Sequence, residues 1–118
     1  MCPVYINRIA SIHAESRNEK PYFSAQEPDY KEMITNANLR RRMSRMIKMG
    51  VACGLECLKD IPSEKVDAII TATGLGCLAD TEKFMNALMD NREQMLNPTA
   101  FIQSTFNTVG AQDRKSVV

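Results

Sequence analysis

The sequence predicts an α/β fold, an incomplete layered domain whose sheet is partial and largely parallel. Three observations predict it. Val4 to Ile12 is rich in β-forming residues, and Val66 to Thr73 is a short apolar run of the kind found in strands buried on both faces. A long amphipathic stretch lies between them. Strand, helix, strand, helix is the succession of an α/β layer, but two strands do not fill a parallel sheet. The chain therefore reads as one part of something larger.

Taken in order, Val4-Tyr5-Ile6-Asn7-Arg8-Ile9-Ala10-Ser11-Ile12 reads as the first strand. Residues 13–27 are mostly polar and read as a surface loop. Residues 28–34 read as a short helix, with Pro28 in the first turn, where its locked φ is tolerated. Leu39, Met43, Met46, Ile47, Ala52, Leu55 and Leu58 recur at helical spacing. They predict one helix over about 39–58, capped by Asn38 and ended before Pro62. Gly50 and Gly54 weaken a helix, so their presence there predicts close packing against a neighbour.

Val66 to Thr73 is the second strand, and Gly74-Leu75-Gly76 turns the chain. Asp80 then reads as the cap of a helix in which Phe84/Leu88 and Met85/Met89 stand one turn apart. Asn97-Pro98 breaks that helix, Phe101 to Thr105 reads as extended or turning, and a last helix begins near Asn107.

Composition narrows the function classes. The 118 residues are 44% hydrophobic and 25% charged, with a net charge of +1, as in an ordinary globular domain. No window approaches the roughly 20 apolar residues of a membrane span, which points to the cytosol and away from a membrane partner. The charge is uneven, however. Ten basic and six acidic side chains lie in residues 1–59, against five and eight in 60–118. The excess sits in Arg40, Arg41, Arg42, Arg45 and Lys48.

Three features carry candidate chemistry. Gly74-Leu75-Gly76-Cys77-Leu78-Ala79 fits the G-x-G-x-x-A fingerprint of a dinucleotide site. Asp80 and Glu82 would place negative charge where the phosphates sit, so a plain glycine turn is the preferred reading. The basic run reads as a solvated helix face or as contact with an acidic protein partner. It has no interleaved aromatics and lies in a near-neutral chain, which argues against nucleic acid. Catalysis by a Cys/His or Ser/His couple would need His13, the sole histidine. Cys2, Cys53, Cys57 and Cys77 form no C-x-x-C pair, and Cys53/Cys57 at i, i+4 lack further metal ligands. They read as reduced, packed thiols. The residues alone predict no catalytic site, no cofactor and no metal.

Several segments, taken together, carry a family resemblance. They are Arg42-Met43-Ser44-Arg45, then Asp67-Ala68-Ile69-Ile70-Thr71-Ala72-Thr73-Gly74-Leu75-Gly76, then Asp80-Thr81-Glu82-Lys83-Phe84, then Asn97 through Gln112. This succession resembles the amino-terminal region of β-ketoacyl synthases, of the thiolase-like superfamily. It is most similar to the divergent bacterial branch linked to aryl-polyene and related pigments. The resemblance covers nearly the whole chain up to about Gln112, and residues 1–118 read as a single segment with 113–118 as its divergent tail.

What the resemblance implies is Claisen condensation in fatty-acid or polyketide synthesis. An acyl group on a cysteine is extended by a malonyl unit borne on acyl carrier protein. It also implies pairing with a synthase subunit, as a homodimer or heterodimer, and basic surface meeting the acidic carrier. Arg40, Arg41, Arg42, Arg45 and Lys48 are the candidates for that contact. In the family the nucleophilic cysteine and its histidine partners lie downstream of the segment matching Asn107 to Gly110, and no cysteine here matches that position. Phe106 stands where a polar residue, often histidine, is expected. Two expectations follow: a truncated reading frame without catalysis of its own, or an interaction module that pairs with a complete synthase. A small nucleotide-binding domain is the remote alternative.

Overall fold

A computed structural model describes residues 2–14, 24–92, 94–105 and 107–117. Among these residues the protein is helical and has no strand. Helices α1 (Tyr30–Met33) and α2 (Ala37–Arg41) precede α3 (Arg45–Leu58), and a 3-10 turn covers Ser63–Lys65. Helices α4 (Leu78–Asp90), α5 (Pro98–Ser104) and α6 (Thr108–Val117) follow.

The predicted partial parallel sheet is thereby corrected. Val4 to Ile12 is irregular chain, with Val4 96% exposed, and Val66 to Thr73 is equally unpaired, with Ile70 91% exposed. The single bridge described joins Ala14 to Ala25, where Gln26 N donates to His13 O at 3.2 Å. β-branched composition reports how well side chains fit a pleated, half-buried surface. It does not make a strand without neighbours to complete the ladder. Residues 15–23 of the predicted loop, and Phe106, lie outside the described residues.

The helix starts follow short polar side chains. Asp29 caps α1, its Oδ1 accepting from Lys31 N at 2.8 Å, so Pro28 sits ahead of the cap rather than in the first turn. Asn36, not Asn38, caps α2 and accepts from Asn38 N and Leu39 N, both at 3.1 Å. Asn97 caps α5, accepting from Thr99 N at 2.9 Å, with Pro98 opening the helix. Phe101 to Ser104 is therefore helical, where the sequence predicted an extended or turning course over Phe101 to Thr105. Cys77 rather than Asp80 stands at the start of α4, and Asp80 falls in the first turn, where its charge suits the helix dipole.

The predicted 39–58 helix is two helices. Arg42 closes α2, and Ser44, extended at φ −70° and ψ 171°, opens α3. Between them Met43, 4% exposed, turns into the core beside Ile34, Ile47 and Val51. Burial of that side chain offsets the loss of helix continuity.

Helix α6 lies along α3 at the two helical glycines. A Cβ at Gly50 would run into Val109 Cγ1, and one at Gly54 would run into the Asp113 carboxylate. The expected close packing is there, and it is made by α6. Helices α4 and α5 form a second pair, joined by the Phe84 and Phe101 rings with centroids 5.5 Å apart, and α5 also meets the start of α6, where Thr108 Oγ1 donates to Ile102 O.

Candidate functional site

The break between α2 and α3 sorts the arginine run onto different surfaces. Arg40 is half-buried, and its Nη1 donates to Ile34 O at 2.5 Å, closing the C-terminal end of α1. Arg41 is exposed at the end of α2. With Lys48 of α3 and Lys31 of α1, these two arginines line a cavity of about 300 Å3, completed by Pro28, Asp29 and Tyr30. Arg42 lies apart, its carbonyl accepting a hydrogen bond from Gln103 Nε2.

Arg45 is engaged elsewhere. Its Nε stands 2.6 Å and its Nη2 2.5 Å from Glu27 Oε1, while Glu27 Oε2 accepts from Tyr30 Oη at 2.6 Å. The Tyr30 and Arg45 hydrogen bonds, in that order, hold the Glu27 carboxyl below its ordinary range. Burial first, and the Glu27 contact second, push the Tyr30 hydroxyl well up. This triad ties the segment before α1 onto α3. The sequence placed five cations in one patch; the structure brings three of them together with Lys31. No periodicity could have found Lys31, because it reaches the cavity from a different helix.

Of the four thiols expected to be packed, Cys77 is buried and Cys53 and Cys57 are half-buried, whereas Cys2 is exposed, because it lies on irregular chain with nothing packed over it. Cys77 is buried, and burial first, then Asp80, pushes its thiol up. Cys53 on α3 is raised by burial and then by Cys57, against a hydrogen bond from the Ile12 backbone. Raised thiols are poor nucleophiles at neutral pH, the reverse of what an acyl-transfer cysteine needs. His13 is exposed, with Nδ1 3.2 Å from Ser11 Oγ, a local pair that the sequence reading missed. Both residues lie on irregular, exposed chain, and among the described residues no carboxylate bonds to that imidazole. A Ser-His pair without an orienting partner lacks the third group of a triad.

The glycine turn is conformational. Gly76 adopts φ +65°, its N–H donating to Thr73 Oγ1 at 2.9 Å, and nothing crowds Gly74 or Gly76. No strand leads into the turn, so the dinucleotide fingerprint lacks the context that would give it meaning. Asn107 and Gly110 line a different cavity, about 710 Å3, between α6 and the Val66–Thr71 chain. A Cβ on Gly110 would stand 2.6 Å from Thr71 Oγ1, so this glycine lets that chain approach α6.

Among the described residues no group of three or more His, Cys, Asp or Glu converges to hold a metal, and no helix is long and apolar enough to cross a membrane. No curated protein and no solved structure matches the chain. A family model does, described as "Beta-ketoacyl synthase, N-terminal domain", over residues 13–112. That match takes in the capped helices, the glycine turn, and Asn107 to Gly110. The chain belongs to the β-ketoacyl synthase N-terminal domain family.

Proposed function

We infer that the chain is a non-catalytic β-ketoacyl-synthase-type segment. It serves a condensing system of the fatty-acid or polyketide kind by binding an acyl carrier protein and a synthase subunit. One observation carries the reading: in a domain of this family, Lys31, Arg40, Arg41 and Lys48 gather from three helices onto one face. An acidic carrier is the partner such a face would steer and hold. The lack of catalysis is supported by the raised Cys53 and Cys77 thiols and the exposed position of the sole histidine.

The test is titration calorimetry of the chain with an acyl carrier protein at low salt, beside a condensation assay with malonyl-loaded carrier. Binding is expected to weaken by about tenfold in Arg41→Glu and to fade as salt rises, as for an exposed charged contact. Thiol-dependent condensation by the chain alone would overturn the reading. Carrier binding indifferent to Arg41→Glu would move the contact elsewhere.

A further inference from the structure

We propose that the cavity between α1, α2 and α3 is a binding site for a phosphomonoester dianion. Its cations arrive from three separate elements, Lys31 from α1, Arg40 and Arg41 from α2, and Lys48 from α3, so their convergence is a product of folding. They are also left over. Arg8 pairs with Asp60, and Arg45 pairs with Glu27, whereas among the described residues no carboxylate is ion-paired to any of these four.

The competing groups nearby are already engaged. Asp29, the one acid on the wall, turns Oδ1 to the Lys31 backbone N–H, and Tyr30 Oη donates to Glu27. Glu27 itself lowers the local potential felt by Lys48, but Arg45 sits directly on it. Arg40 is preorganised, because its Nη1 bond to Ile34 O fixes the guanidinium while leaving its other N–H groups for a ligand.

Two arginines and two lysines lining about 300 Å3 suit a tetrahedral oxyanion with a small organic substituent. Doubly charged phosphate gains more from four cations than a singly charged diester does. The site does not depend on carrier docking, because it is read on the chain alone with small probes.

The test is calorimetry of the full chain in low salt at about pH 8, where a phosphomonoester carries two charges. Inorganic phosphate, phenyl phosphate and diethyl phosphate are the probes. Saturable binding of the first two is expected, with diethyl phosphate weaker by about tenfold. Lys31→Ala, Arg41→Ala and Lys48→Ala each weaken phenyl phosphate by about tenfold, while Arg42→Ala, off the cavity, leaves it unchanged. Circular dichroism confirms that each variant keeps its helices; Arg40, which also closes α1, is left intact. Absence of saturable binding would overturn the proposal. So would equal losses in Arg42→Ala and in the three lining variants, which would mean diffuse attraction. Equal affinity for the diester would overturn the dianion assignment.

Discussion

Asp113 is the residue whose position is hardest to reconcile with its chemistry. It is 9% exposed, its Oδ1 has no hydrogen-bond partner, and it lies against the Gly54 notch on α3. Burial pushes its carboxyl above the ordinary value of 3.8, because the charged form is stripped of water without compensation. The folded state then holds this proton more tightly than the unfolded state does. The resulting stability is complete below the unfolded value of 3.8 and is lost as pH rises through the higher folded value. Asp113→Ala removes the unpaired group. It is expected to stabilise the chain at neutral pH by about 1 kcal/mol and to flatten stability against pH over the acid range. Urea unfolding of both proteins between about pH 3 and pH 7 checks the sign. A destabilised variant at neutral pH would show that the carboxylate has a partner in solution.

Helix ends and helix contacts set what was legible in the sequence. The places of α1, α3, α4 and α6 were legible in outline, α2 was read as the start of one long helix with α3, and α5 was missed because Phe101 to Thr105 looked extended or turning. The errors came from choosing among local signals of similar strength. Asn36 and Asn38 are both good capping residues, and α2 starts at Asn36; separately, the long helix breaks at Ser44, where Met43 enters the core. Asn36→Ala should therefore cost about 1 kcal/mol, while Asn38→Ala, a helical position whose side chain caps nothing, should not destabilise. Urea midpoints of the two variants separate them. The strands were misread because propensity describes side chains, and pairing is a property of neighbours. The basic site was half legible, since spacing shows what shares one helix and cannot show Lys31 arriving from another.

The glycines of α3 were read correctly as contact residues, and their partners give a second test. Gly50→Ala alone meets Val109 Cγ1 and should destabilise by about 1–3 kcal/mol through overpacking. In a Val109→Ala background the clashing Cγ1 is gone and the new methyl meets only the residue 109 Cβ at 3.7 Å, an ordinary contact, so the same change should instead stabilise by up to about 1 kcal/mol through helix propensity. A double-mutant cycle in urea reads the reversal of sign. Equal effects in the two backgrounds would mean that α6 does not pack on α3 in solution.

At the scale of the whole molecule, few apolar side chains are buried, and long stretches of the non-helical chain are exposed. The radius of gyration is 16.7 Å, against about 13–14 Å for a compact domain of this length. The fully buried apolar set is confined to a few side chains around Ile47 and Val51, while Val4, Tyr5, Ile6, Ile9, Ile70 and Leu75 face water. Exposed apolar chain that also carries unpaired backbone groups is the usual starting point of self-association. The protein is therefore expected to bind a hydrophobic dye and to form larger species as concentration rises in sedimentation velocity. Ile70→Lys tests the cause directly. At 91% exposure, Ile70 contributes almost nothing to internal packing, so the substitution should leave stability within about 0.5 kcal/mol of the parent and yet shift the distribution toward monomer. Association that persists undiminished in Ile70→Lys and in the matching Ile6→Lys would place the sticky surface elsewhere, on the exposed methionines and Phe101 of the α4–α5 pair. A parent protein that stays monomeric and dye-silent at every concentration would mean that these segments find cover within their own chain.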